Sequence, residues 1–260
     1  MSAQLLTERQ GATLVLTLSN PGARNALGPE MYSAAIEALA TAGGNPEIRA
    51  LVLTGADGFF CAGGNLNRLL DNRSKDKSVQ AASIDQLHGW VEAMRACPKP
   101  IIAAVEGAAA GAGFSLAMAC DLMVAARDAK FVMAYVRVGL TPDGGGYWHL
   151  SRALPRQLAT EVMIEGKPIV AERLHHFGMV NRLTAPGEAL KEALAWAEEL
   201  AGLSPNAVGR IKALAEAAQT QPLAAHLNTE RENFVESLHH DDGREGISAF
   251  LEKRKPSYRG

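Results

Sequence analysis

The chain has 260 residues, 47% of them hydrophobic and 21% charged, and a formal net charge of -2. That length suits one large α/β domain or a core with a helical appendage, and the balance excludes a disordered chain, a disulfide-dense scaffold and a protein drawn to nucleic acid or anionic membrane by bulk charge. Cys61, Cys97 and Cys120 form no CxxC pair and read as buried, reduced thiols; no apolar stretch approaches membrane-spanning length, and residues 1–10 meet Glu8 before any leader-like run, so a cytoplasmic protein is expected.

In chain order, residues 12–18 read as a β-branched strand broken by Asn20, Pro21 and Gly22. A helix follows: Gly28 and Pro29 start it, Met31, Ala35 and Leu39 recur at helical spacing, and Gly43 and Gly44 stop it. Residues 49–54 predict a buried strand and 55–65 a glycine-dense loop. The polar stretch 71–83 has little periodicity and reads as a mobile surface segment ahead of a helix over 84–96, which Pro98 and Pro100 end. A short strand over 101–105 leads to a second small-residue loop, 107–113, which opens a helix through 116–119. Beyond Pro186 the pattern is helical: Leu190, Leu194, Ala197 and Ala201 share one face, and Ser204 with Pro205 caps the next helix. Another helix is expected over about 222–238, and Asp242 and Glu245 have capping-box spacing for a last one through Glu252. Alternating strands and helices followed by consecutive helices imply an α/β fold with a parallel-sheet core and a C-terminal helical region.

Chemistry concentrates in the two glycine loops, residues 60–66 and 107–116. Small residues allow close backbone approach, and amides opening a helix point outward unpaired, so two such loops can hold an oxyanion. Loops that only pack helix on strand have the same composition. Gly111 and Gly113 do not begin a dinucleotide fingerprint, because Leu116 stands where its third glycine belongs. Residues 239–242 (His-His-Asp-Asp) lack spaced partners, so no metal is expected there, and His175 and His176 read as helix-surface residues. Ser115 lacks the flanking pattern and base of a nucleophile elbow.

These loops belong to five ordered motifs: the turn ending Asn25-Ala26-Leu27, the run Ala62-Gly63-Gly64-Asn65-Leu66, the Gly111 loop leading to Cys120-Asp121, the segment 139–145 (Gly-Leu-Thr-Pro-Asp-Gly-Gly), and the tail 244–254. Through them the chain resembles the crotonase (enoyl-CoA hydratase/isomerase) superfamily over nearly its whole length, nearest to the subgroup of ring-epoxide phenylacetyl-CoA isomerases. The resemblance implies a spiral of repeated ββα units over residues 1–195 and a helical oligomerisation region over 196–260, assembling as a trimer or hexamer. It implies an oxyanion hole from the Gly64 and Ala112 amides, and an adenine and pantetheine path lined by Arg24, Ala26, Ala62 and Leu66. Phe250 and Lys253 would reach coenzyme A on a neighbouring subunit. Hydratases of the family hold water with two glutamates, and Ser115 and Tyr135 stand at those positions. Asp143 stands where the isomerase subgroup has its proton-transfer base, although a Pro-Asp-Gly carboxylate is also a common turn former.

The resulting expectation is enoyl-CoA double-bond isomerisation with Asp143 as base, protonated Asp143 or Tyr135 returning the proton and Ser115 lining the substrate site. Coenzyme A is then part of the substrate, and no separate cofactor, metal, nucleic acid or membrane partner is implied. Hydration of 2-enoyl-CoA and non-catalytic acyl-CoA binding are the alternatives.

Overall fold

A computed structural model of the protein describes residues 3–258. Its first two strands, β1 (Gln4–Gln10) and β2 (Thr13–Ser19), form an antiparallel hairpin whose turn uses Gly11 at φ 60°. β1 left little trace in the sequence because it is a polar edge strand, exposed over most of its length. The helix α1 (Pro29–Gly44) follows as expected, then β3 (Ala50–Gly55), α2 (Leu66–Asn72) and α3 (Lys77–Ala96). Next come β4 (Ile101–Val105), β5 (Ala108–Ala110), α4 (Ala112–Ala119), β6 (Leu122–Ala126) and β7 (Lys130–Val132). A 3-10 turn over Ala134–Val138 leads to α5 (Gly146–Ala153), α6 (Arg156–Glu165), β8 (Ile169–Val170), α7 (Ala171–His176) and β9 (Arg182–Thr184). The chain closes with α8 (Ala189–Ala201), α9 (Pro205–Ala218), α10 (Leu223–His239) and α11 (Asp241–Leu251).

The strands form a six-stranded sheet in the order β1-β2-β3-β4-β6-β9, parallel from β2 to β9, and a three-stranded sheet in the order β5-β7-β8. Central strands buried on both faces explain the continuous apolar runs. Leu51, Leu53, Ile101, Ala103 and Val105 face the main core with α1 and α3, while the alternate residues Ala50, Val52, Ile102 and Ala104 face Ala189, Ala193 and Ala197 of α8. Two turns of the spiral each place one strand in the large sheet and the next in the small one, β4 with β5 and β6 with β7. This alternation carries the ends of successive turns to one place.

Two sequence readings are corrected. The stretch 71–83 is the end of α2 and the start of α3, not a mobile segment: α3 begins at Lys77, where the Asp76 carboxylate accepts from the Ser78 amide at 2.9 Å. A good cap and a narrow apolar face sustain this helix despite its polar first turns. Asp242 does not cap α11; His240 does, its Nδ1 accepting from the Asp242 amide at 3.1 Å. The Asp242 carboxylate is buried and instead accepts from the Ser204 hydroxyl at 2.6 Å, and Ser204 in turn accepts from the Ala207 amide at the start of α9. A buried carboxylate takes the partner that satisfies it, here across the helical region. Ser204→Ala should therefore remove a cap and leave a buried carboxylate oxygen with only the long 3.4 Å contact from the Asn206 amide, lowering stability by about 1–2 kcal/mol in denaturant unfolding.

The residue boundary 195/196 lies within α8, which packs on the sheet; the helices that leave the sheet begin with α9. Lys212 anchors α9 to the core by donating to Asp121 Oδ2 at 2.8 Å and to the Met94 carbonyl at 2.8 Å. No helix among the described residues is long and apolar enough to cross a membrane.

Candidate active site

The two glycine loops meet because the segment after β3 crosses to the small sheet. The Cys61 amide donates to the Ala108 carbonyl at 3.0 Å, and the Ala110 amide donates to the Cys61 carbonyl at 2.9 Å. This pairing presses Gly63 onto the second loop. Gly63 has φ +87°, and a Cβ built on it would lie 2.5 Å from the Ala110 carbonyl oxygen and 3.3 Å from the Ala112 nitrogen. Gly113 is as constrained, since a Cβ there would lie 2.7 to 2.8 Å from Cys61. The amides that follow these contacts, Gly64 N–H and Ala112 N–H, donate to no backbone carbonyl of the described residues. Ala112 opens α4, so its amide is one of the donors a helix start leaves free. Its methyl does not alter that donor.

Below the loops lies a buried polar knot. Asn25 has left-handed backbone at φ 56°; its Nδ2 donates to the carbonyls of Ala56 (2.9 Å) and Phe59 (2.6 Å), and its Oδ1 accepts from the Asn20 amide (3.0 Å). The Leu27 amide then donates to the Gly63 carbonyl at 2.8 Å, tying the 20–27 turn to the first loop. Cys61 completes the knot: its thiol donates to the Asn25 carbonyl, and burial pushes its pKa up to about 12, so it is a packing group and not a nucleophile. Asn25→Ala should strand several backbone groups and cost about 2 kcal/mol, read as a lower unfolding midpoint with an unchanged denaturant slope.

On the other side of α4 stands Asp143. The Tyr135 hydroxyl donates to Asp143 Oδ1 at 2.6 Å, and this hydroxyl oxygen lies 3.8 Å from a Cβ built on Gly111, next to the Ala112 amide. Burial first, and then the Asp143 charge, hold the Tyr135 pKa well above that of a free phenol. The phenol therefore stays protonated and acts as a donor. Ser115 is fully buried at 0% exposure; its hydroxyl donates to the Asp143 carbonyl at 3.0 Å and steadies the turn that carries the carboxylate. Gly144 and Gly146 pack on Ser115, where a built Cβ would lie 3.1 Å from its Cβ and 2.9 Å from its Oγ respectively.

The sequence model of the family described as enoyl-CoA hydratase/isomerase matches residues 8–260. The chain belongs to the enoyl-CoA hydratase/isomerase family. It is 36% identical to the 1,2-epoxyphenylacetyl-CoA isomerase of Escherichia coli (strain K12), over 98% of both chains. It is 34% identical to the 2,3-dehydroadipyl-CoA hydratase of the same organism, over 99% of both. Among solved structures, an enoyl-CoA hydratase from Polaromonas sp. JS666 superposes with a TM-score of 0.97 at 56% identity, over 98% of this chain and 99% of that one. The fold is thus the crotonase fold, and the protein is an acyl-CoA-processing enzyme of this family.

Within this enoyl-CoA hydratase/isomerase family member, Arg24 and Ala62 line a cleft of about 590 Å³ together with Phe59, Gly107, Ala108, Ala110, Asp128 and Lys130. Arg24 is held at φ 49°, with its guanidinium 5.8 Å from the centre of the Phe59 ring. Ala26 is buried beneath this cleft's loops, and Leu66 is 57% exposed at the start of α2. Phe250, 84% exposed, and Lys253 lie at the end of α11, which packs on α10. In residues 239–242 the His240 ring accepts from the Asp242 amide and the Asp241 carboxylate pairs with Arg244; among the described residues no group of three or more His, Cys, Asp or Glu side chains could hold a metal. A further cavity of about 570 Å³ lies at the opposite end of α4 from Ala112 and contains none of the expected site residues. From the sequence Asn25 stands out only as part of a motif, and Cys61 only as a buried thiol in the first loop. Their role became visible through contacts between turns of the spiral.

Proposed function

We propose that the protein catalyses a 1,3-proton shift in enoyl-CoA thioesters, moving a double bond relative to the thioester carbonyl. The observation that carries this reading is the Tyr135–Asp143 pair: one carboxylate, aimed by a protonated phenol, beside the start of α4 with its free amide. The thioester oxygen sits between the Gly64 and Ala112 N–H groups. Asp143 takes a proton from C2 of a 3-enoyl thioester; the C–H electron pair moves into the conjugated system and negative charge gathers on the thioester oxygen. The same proton then returns from Asp143 to C4, the double bond now lies between C2 and C3, and no water is consumed.

Each amide of such a hole is worth on the order of 10²–10³ in rate, because it meets charge that exists only after the proton has left. A phenol pushed up in pKa is a poor acid, so Tyr135 positions Asp143 and the carboxylic acid returns the proton. Ser115 supports the turn and does not replace a water-holding glutamate, since its hydroxyl is engaged. Arg24, Ala26, Ala62 and Leu66 line the adenine and pantetheine path in this reading.

Hydration of 2-enoyl-CoA is the second reading, favoured by the relatives named as hydratases. The two are separated by incubating the enzyme with 3-enoyl and 2-enoyl thioesters, including ring-containing ones, and following products and solvent deuterium at the α-carbon. Isomerisation should exceed hydration. Fast hydration with little isomerisation would replace the first reading, and tight binding with no turnover of either would make this an acyl-CoA-binding protein. Assembly as a trimer or hexamer belongs to the same proposal, since it would cover exposed Phe250 and Leu251 and let Lys253 reach a neighbour's coenzyme A. A monomer in sedimentation would remove that role.

A further inference from the structure

Arg68 is a cation for which the proton-transfer scheme has no use. It lies on α2, one turn after the Gly64 loop, and its amide donates to the capping Asn65 Oδ1 at 3.2 Å. Its guanidinium donates to two neutral oxygens, Ser83 Oγ on α3 at 2.9 Å and the Tyr32 hydroxyl on α1 at 3.3 Å, and lies 6.0 Å from the centre of the Tyr32 ring. Its Nε is buried without any partner. Neither neighbour carries charge to neutralise it. Nε is enclosed, but each terminal nitrogen of this partly exposed guanidinium spends one hydrogen on a neutral oxygen and keeps a second for an acceptor from outside the chain.

The position of this cation relative to the site follows from α3. Leu87 faces the turn of the base: its side chain would lie 3.5 Å from a Cβ built on Gly144. Ser83, which holds Arg68, is four residues earlier on the same helix, so it stands on the same face about 6 Å further along. On α2 the neighbouring Leu69 lies 3.7 Å from a Cβ built on Gly64. Arg68 thus stands on the turn of α2 that adjoins the oxyanion loop, and its partner Ser83 stands one helical turn from the residue that faces the turn of the base. The charges of Arg68 and Asp143 both reach the buried Tyr32 phenol, with opposite effects on its ionisation.

We propose that Arg68 is a specificity residue that binds a carboxylate at the end of the acyl group remote from the thioester, so that the preferred substrates are coenzyme A thioesters of dicarboxylic acids. This rests on the acyl-CoA site proposed above. A carboxylate matches the forked donors of a guanidinium and supplies the missing counter-charge, which a neutral acyl terminus does not.

The test is titration calorimetry with saturated thioesters, which bind without reacting: glutaryl-, adipyl- and suberyl-CoA against the chain-matched pentanoyl-, hexanoyl- and octanoyl-CoA. At least one dicarboxylic thioester should bind about 10–100-fold tighter than its neutral match, the range expected of one charge-assisted hydrogen-bond pair. R68M should bring that ratio close to one while leaving neutral thioesters bound as before, and R68K should keep part of it. Melting curves of both variants separate a strut from a binding group: a lower melting temperature with the ratio intact overturns the proposal, as does equal or tighter binding of every neutral thioester by the wild type. The wild-type ratio and R68K decide the matter if R68M does not fold. D143N should leave the ratio unchanged, so a failed isomerase assay with a preserved ratio would remove the reaction and keep the specificity, whereas binding of no thioester at all removes both.

Discussion

Asp143→Asn is expected to bind acyl-CoA thioesters as the wild type does and to turn them over about 10²–10⁴-fold more slowly, the usual loss when a general base is removed. Binding should survive because the amide is nearly the size of the carboxylate, the Tyr135 hydroxyl still finds an oxygen at Oδ1, and Ser115 still holds the backbone carbonyl of residue 143. The loss should fall on kcat, since the proton is transferred only in the transition state. Tyr135→Phe makes a useful companion. Because burial and the Asp143 charge keep the phenol protonated, removing it takes away a positioning hydrogen bond and not an acid, so a smaller loss with an altered pH profile is expected. Near-normal turnover by Asp143→Asn would remove the carboxylate from the mechanism.

Gly63→Ala should damage stability and rate together. The left-handed φ of +87° costs an alanine about 1–2 kcal/mol, and its Cβ would start 2.5 Å from the Ala110 carbonyl oxygen, a backbone atom that cannot swing aside. A total of about 3 kcal/mol corresponds to a melting temperature roughly 6–12 °C lower for a chain of this size. The clash pushes apart the two loops whose amides are proposed to share the oxyanion, so surviving enzyme should lose on the order of 10²–10³ in kcat. Gly58→Ala is the control: φ there is +68°, but nothing lies within 4 Å of the built Cβ. It should show the dihedral cost alone, with turnover retained. A Gly63→Ala enzyme that melts and reacts like Gly58→Ala would show that the loops are not held apart by this contact.

The sequence was most legible where one residue's chemistry is decided locally. Burial on both faces left unbroken apolar runs at β3 and β4, Pro29 and Pro205 marked helix starts, and Ser204 proved to be the cap its type and place suggested. The five motifs located both loops and Asp143 by resemblance. Where exposure hides periodicity the reading failed: β1 is a polar edge strand, and the first turns of α3 look like solvent-exposed loop because its buried side chains begin only at Leu87. Asp242 failed for another reason, since a carboxylate at capping spacing is buried and was claimed by a serine 38 positions away.

What the sequence by itself determined, then, is the alternation of strands and helices, the two loops with free amides, and a single carboxylate at a glycine turn. Only the tertiary structure decided that Cys61 pairs with Ala108 and Ala110, that Asn25 pins the 56–59 segment, that Tyr135 and Ser115 serve Asp143, and that Arg68 stands among neutral oxygens. The reason is physical: these contacts join residues on successive turns of the spiral, and nothing in a local pattern records which donor a buried acceptor will meet once distant turns are stacked.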